Sequence, residues 1–302
     1  MDAENSSRPR RRTALIASEL SRYNIDIAAL SETRLADEGS VNEMASDYTF
    51  VWKGLPANSR RIHCVGFAIR TKLLQAVPPV AISERVMTLR IPLAKHRYAT
   101  FISTYHPTLL SDDETKDHYY AMLRSTVTPV PRRDKLILLG DLNARIGSNS
   151  KIWGNVMGKL GIGNINSNGH RLLSLCSESG LFMTITLFQL KHKHKTTWMH
   201  PRSKHWHLLD YILVKAVDPQ DVQITRVMCC AECWTDHRLV RTSLRIRIRP
   251  PARKQKPQRR LNVSGLGRRA DLSSLRAVIS SNLAQVSDCS PLPVQSNSYA
   301  TK

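Results

Sequence analysis

Acidic side chains are scarce in this chain. Its 302 residues carry 24 Asp and Glu against 45 Lys and Arg, a formal net charge of +21. An excess of that size points to a polyanionic partner, nucleic acid first and an anionic membrane surface second. It is not confined to one end. Arg249 to Lys302 hold ten basic and two acidic residues, net +8, which leaves net +13 for residues 1–248. Long apolar runs are missing too. None approaches the ~20 residues that span a bilayer, so no membrane association is expected. The opening stretch, MDAENSSRPRRR, lacks the apolar segment of a signal peptide. The expected setting is therefore nuclear or cytoplasmic rather than secreted. Cysteine is sparse and scattered: of Cys64, Cys176, Cys229, Cys230, Cys233 and Cys289, only the three from 229 to 233 cluster. They lack the second ligand pair of a zinc site, so free thiols are expected. No repeat of fixed period appears.

What remains has the pattern of an α/β protein. Leu15, Ile16, Ala17 and Leu20 recur at helical spacing in Thr13–Arg22. Ile25–Ser31, Tyr48–Trp52, Val65–Ile69, Val86–Ile91 and Tyr98–Tyr105 read as strands, rich in β-branched and aromatic residues. Ser111 and Glu114 have the form of a capping box opening a helix to about Ser125. Lys135–Leu139 is a buried strand, and Gly169–Ser179 a helix stopped by Gly180. Strands follow at Leu181–Thr186, Thr196–Met199, Leu208–Val214, Val222–Val227 and Leu239–Ile248. Helices lying between strands without strict alternation fit two mixed sheets packed face to face with helices outside, a four-layer α/β sandwich. The expected division is a basic leader (1–12), one domain (13–248) and a Pro/Arg-rich, mostly disordered tail (249–302) in which Leu272–Val286 can form a short helix.

Four apolar strands end in, or contain, an acidic residue: IAALSE at Glu32, LLGDLN at Asp141 and Asn143, HLLDYIL at Asp210, and WTDH at Asp236 and His237. A carboxylate beside an apolar core is costly unless paired or metal-bound. Taken singly, each has a bland reading: a cap, a turn after a strand, a surface pair. Four in one basic chain suggest an acidic site inside a positive surround. Mg²⁺ prefers such oxygen ligands. A metal with carboxylates can both neutralise a phosphodiester and deprotonate water.

These segments resemble the endonuclease/exonuclease/phosphatase family, the fold of DNase I and the apurinic endonucleases. The resemblance rests on LSETR, YHPT, GDLNAR, LDYIL and TDH in that order. The longer stretches RRTALIASELSRYNIDIAALSETRLADEG, KLILLGDLNARIG and TTWMHPRSKHWHLLDYILV are similar to the endonuclease domain of non-LTR retrotransposons. It covers residues 11–250 or so. It implies a DNase I-like fold and a Mg²⁺- or Mn²⁺-dependent enzyme nicking DNA, with RNA a further candidate and no obligate protein partner. The nick would leave a 3′ hydroxyl that primes reverse transcription. Carried over by position, Glu32 is a metal ligand and Asp236 lies near the metal. Asp141 orients or deprotonates water, and Asn143 helps hold the water and the phosphate. Asp210 orients His237, His237 contacts the scissile phosphate, and Tyr105 donates its hydroxyl to it.

Three departures from the family pattern stand out. The first strand, with its metal-binding Asn, has no counterpart: residues 1–12 contain Asn5 but read as no strand. Ile185 stands where related endonucleases place an Asn, and Ser83-Glu84-Arg85 replaces an Asn-Asp-Arg-like stretch. The alternative expectation is therefore a catalytically impaired remnant that binds nucleic acid through charge. Two further segments are open to reading. His192, His194, His200, His205 and His207 crowd with lysines and arginines in what reads as a solvated loop able to touch phosphates. Trp198 and Trp206 there are core or base-stacking candidates. Gly158, Gly161, Gly163 and Gly169 lie in a loop and make no dinucleotide fingerprint, because no strand feeds a Gly-rich helix start.

Overall fold

A computed structural model describes residues 12–59, 63–74, 78–231, 235–248 and 269–286. The chain divides into two units, Met1–Pro251 and Ala252–Lys302. In the second, helix Arg269–Val286 is described.

In the first unit the strands, in chain order, are β1 (Ile27–Ser31), β2 (Glu38–Glu43), β3 (Tyr48–Gly54), β4 (Cys64–Arg70), β5 (Val80–Ser83), β6 (Val86–Pro92), β7 (Tyr98–Tyr105) and β8 (Lys135–Asp141). They continue as β9 (Ile146–Gly147), β10 (Ile162–Ile165), β11 (Leu181–Met183), β12 (Trp198–Met199), β13 (Trp206–His207), β14 (Asp210–Lys215), β15 (Val222–Met228) and β16 (Leu239–Leu244). The helices that matter for the site are α1 (Arg12–Arg22), α2 (Asp113–Val127) and α3 (Ser167–Ser179).

β1–β4 form one sheet in the order β1-β4-β3-β2, with antiparallel pairings. A larger sheet runs β11-β14-β8-β7-β6-β5 and is mixed, since β7 and β8 are parallel. Side chains alternate across a strand, and this sorts the apolar residues into three cores. Val65, Phe67 and Ile69 of β4 meet Met87, Leu89, Phe101, Ile137 and Ile212 between the sheets. The other face of the larger sheet, with Ile102, Leu136, Leu138 and Leu213, packs on Tyr119 and Leu123 of α2 and Leu172 and Leu173 of α3. The outer face of the smaller sheet, with Tyr48, Phe50 and Ala68, packs on Ala17 and Leu20 of α1. The result is a four-layer, DNase I-like α/β sandwich.

Local chemistry adjusts several expected boundaries. Asp112, not Ser111, caps α2: its carboxylate accepts the Thr115 N–H at 2.6 Å, which also places an anion at the positive end of the helix. α3 starts at Ser167 because Asn166 caps it, accepting from Gly169 N–H at 2.8 Å. The strand expected over Leu181–Thr186 stops at Met183 and tightens into a 3₁₀ turn, Thr184–Leu187. There the Thr186 hydroxyl bonds the Met183 carbonyl, a local bond that competes with the ladder. Ile162–Ile165, expected within a loop, pairs with Ile146–Gly147. The leader before Arg12, most of the tail, Cys233 and Cys289 lie outside the described residues.

Candidate active site

The register of the larger sheet sets the site. Tyr105 is opposite Asp141 across the parallel pair β7–β8, and Asp141 is opposite Asp210 across the antiparallel pair β8–β14. Three polar residues far apart in sequence thus form one row at the strand ends. The two-residue period gives all three the parity of Phe101, Ile137, Leu139, Ile212 and Val214, which fill the space between the sheets. Where that apolar core ends, the row begins. Gly140 makes the close approach possible. Its φ is +147°, and a Cβ there would meet the Thr104 carbonyl oxygen at 1.9 Å, so any side chain would push Asp141 out of register.

After β8 the chain turns sharply at Asn143, whose φ is +44°. The Asn143 N–H donates to Asp141 Oδ1 at 2.9 Å, and its amide Nδ2 donates to the His106 carbonyl at 3.0 Å. The His106 N–H in turn donates to the Asp141 carbonyl at 2.9 Å. Asn168, fully buried on α3, donates to the Asn143 carbonyl at 3.0 Å. The turn is held from three directions, and Asp141 is only 5% exposed.

Asp210 and His237 form a pair, with His237 Nδ1 at 2.8 Å from Asp210 Oδ2. A carboxylate on one ring nitrogen fixes the imidazole and leaves the other nitrogen for a ligand. Atoms of Asp141, Asp210 and His237 lie within 4.8 Å of one another, and among the described residues they are the group that could hold a metal ion. The Tyr105 hydroxyl donates to Glu32 Oε1, although the Tyr105 ring is itself core. Glu32 follows β1 at a φ of +51° and acts on Asp141 through space, raising its pKa. Asp236 stands apart from the group: it is exposed, and its Oδ2 accepts the Trp198 indole N–H at 3.0 Å. Trp198 is half-buried, its ring near those of His200, His207 and His237.

The electrostatics show a concentration of negative charge. Burial pushes the Asp141 carboxyl well up, and Asp210 and Glu32 add to the rise, against the lowering effect of His237 and the Asn143 N–H. Burial alone would lower the His237 imidazolium, but Asp210, then Asp141 and Asp236, raise it to about 10. Hard carboxylate oxygens, one already resisting ionisation because of burial and its acidic neighbours, are the donor set that suits Mg²⁺ or Mn²⁺.

The sequence reading missed the part played by two residues here. Thr197 is fully buried; its hydroxyl accepts the N–H groups of Leu209 and Asp210 at 3.0 and 3.3 Å, and its carbonyl accepts the Arg238 N–H at 2.7 Å. It ties the Asp210 strand to the His237 segment. Arg85 is 8% exposed, with its guanidinium on the Tyr105 carbonyl at 3.2 Å and on His63 Nε2 at 2.7 Å. A buried threonine just before a strand and an arginine in a turn carry no chemical signature in sequence.

A four-layer sandwich with an acidic row and a carboxylate–imidazole pair at one end of its larger sheet defines a class of α/β proteins. The sequence pattern of the Endonuclease/Exonuclease/phosphatase family matches residues 1–243, and the chain belongs to that family. Craniofacial development protein 2 of Bos taurus is 27% identical over 249 residues, 82% of this chain and 41% of that protein, so the chain spans about two fifths of this relative's length. Among solved structures, the APE2 catalytic domain of Xenopus laevis superposes with a TM-score of 0.58 at 15% identity, covering 80% of this chain and 91% of that one. The AP endonuclease LMAP of Leishmania major gives 0.56 at 13% identity, covering 79% and 83%. At these identities the likeness is one of fold.

Proposed function

We propose that this chain is a divalent-metal-dependent endonuclease that nicks DNA and leaves a 3′ hydroxyl, of the retrotransposon type in which that end primes reverse transcription. The observation that carries the reading is the convergence of Asp141, Asp210 and His237 within 4.8 Å. We assign Glu32 and Asp141 to hold Mg²⁺ or Mn²⁺, with the exposed Asp236 at the edge of the site. When bound, the cation supplies charge neutralisation at the phosphate.

The chain's own groups account for the remaining steps. Asp141 is assigned to orient the attacking water and accept its proton; a cation beside it would favour the ionised carboxylate that this role needs. Asn143 helps hold that water and the phosphate. His237, kept protonated by Asp210, donates from its free ring nitrogen to the oxygen on which charge develops. Tyr105 supplies a hydroxyl donor beside Glu32.

The test is nicking of supercoiled plasmid in Mg²⁺. EDTA-sensitive nicking that falls about 10²–10⁴-fold in Asp141→Asn is expected. Salt-sensitive DNA binding with no nicking would replace this reading with that of a non-cleaving nucleic-acid binder. Nicking at full rate in Asp141→Asn would remove the assigned chemistry.

A further inference from the structure

A cleft of about 460 Å³ opens beside the β12–β13 hairpin, lined among others by Arg145, Lys204, His192, His205, His207 and Trp206. None of its lining residues is acidic. Most cations elsewhere on the larger sheet and its helices sit on carboxylates: Arg90 on Asp134, Arg124 on Glu178, Lys135 on Asp218 and Asp221, and Arg171 on Asp113 and Asp117. Arg145 and Lys204 have no carboxylate partner among the described residues, so the cleft holds two uncompensated positive charges. The field is felt locally: burial lowers the His207 imidazolium, and Arg145, His200 and His205 lower it further.

The lining is also built to stay in place. The Arg145 N–H donates to Asn166 Oδ1 at 3.0 Å, tying it to the cap of α3. Lys204 sits at the hairpin tip with a φ of +58°, its N–H on the His200 carbonyl at 2.9 Å. The Arg238 guanidinium lies 3.2 Å from the centroid of the Trp206 ring, which stiffens the hairpin against the segment that carries His237. Both walls are covalently close to the candidate active site: Arg145 is two residues past Asn143, and β13 leads through Leu208 and Leu209 to Asp210.

The geometry points to a phosphate-binding subsite in this cleft, in which Arg145 and Lys204 together grip one backbone phosphate of the nucleic acid being cut. Guanidinium provides a planar two-point contact with phosphate, and ammonium a point charge. The imidazoles around them offer further N–H donors. The assignment rests on the nuclease reading above, and it names a fixed contact that sets the strand's position relative to His237.

The test uses the full chain and two double variants: Arg145→Gln with Lys204→Gln, and Arg245→Gln with Arg247→Gln, which removes the same charge from the exposed end of the domain. Binding to a duplex oligonucleotide is measured against salt without divalent cation, so catalysis plays no part. One phosphate contact contributes about 0.9 to the slope of log K against log salt. The cleft variant should lose about that much slope, and the Arg245/Arg247 variant should keep the wild-type slope. In parallel, inorganic phosphate should raise the melting midpoint of wild type and not that of the cleft variant. Equal slopes in wild type and the cleft variant overturn the proposal. An equal loss in both double variants also overturns it, since binding is then diffuse. Phosphate stabilisation without a slope change overturns the backbone assignment and marks a site for free phosphate. If nicking fails while the slope result holds, the catalytic reading falls and the subsite stands.

Discussion

At the residue scale, the Asp210–His237 pair is defined by a 2.8 Å contact between Nδ1 and Oδ2. The imidazole has a folded-state pKa of about 10, against 6.5 for the unperturbed group, because Asp210 outweighs the effect of burial. A raised histidine pKa stabilises the fold in full below 6.5, and that contribution drains away as pH rises through about 10. Asp210→Asn should therefore bring the imidazole titration, followed by NMR, back toward 6.5. It should also flatten the loss of unfolding free energy between pH 7 and 10. An imidazole that still titrates near 10 in this variant would show that some other charge holds it. Tyr105 behaves differently. Its ring fills core between the sheets, as a strand-end tyrosine commonly does, while its hydroxyl donates to Glu32.

At the element scale, the turn after β7 shows how helix packing supports the site. His106 follows Tyr105, is fully buried, and lies edge-on to both Tyr119 and Tyr120 of α2. Burial pushes its pKa down to about 4, with smaller lowering from Arg85, Lys116 and Arg171 and an opposing contact to the Pro107 carbonyl. Here the sign is opposite to that of His237. As pH falls below 6.5 the unfolded chain takes up a proton that the folded chain refuses until about 4, so stability falls across that window. The full effect is on the order of 3 kcal/mol, at ~1.4 kcal/mol per pKa unit. Urea unfolding of wild type at pH 7 and 4.5 should show this decline, and His106→Phe should show a shallower one. Parallel slopes would mean that His106 titrates normally. The same turn carries the His106 N–H to the Asp141 carbonyl, so weakening it at low pH should loosen the acidic row before the rest of the sheet.

At the scale of the whole molecule, a chain of net charge +21 sets Asp141 and Asp210, with Glu32 close by, at one end of the larger sheet. That separation invites a cation at the row and a polyanion around it. Mg²⁺ or Mn²⁺ should raise the melting midpoint, with stabilisation growing toward ~2.7 kcal/mol at a hundredfold excess over Kd. The increment should vanish in Asp141→Asn, and EDTA should return wild type to its starting midpoint without unfolding it. A midpoint indifferent to both cations would argue against a metal at this row.

The sequence by itself determined the longer apolar strands, the helices over Thr13–Arg22 and Gly169–Ser179, and the acidic residues that interrupt apolar runs, but not short or polar strands such as Glu38–Glu43 and Ile162–Ile165. What it determined follows from local periodicity and from the cost of a carboxylate near a core, both properties of short stretches of chain. The family resemblance then supplied roles for Glu32, Tyr105, Asp141, Asn143, Asp210, Asp236 and His237. The row itself was decided by tertiary structure, because strand register depends on which partner each strand finds, and no short stretch encodes that. So was the turning of Asp236 onto Trp198, and so was the support from Thr197 and Arg85, whose meaning lies in neighbours 13 and 20 residues distant. The cap of α2 passed from Ser111 to Asp112 for the same kind of reason. Two adjacent residues offered similar chemistry, and the direction in which the chain entered the helix chose between them.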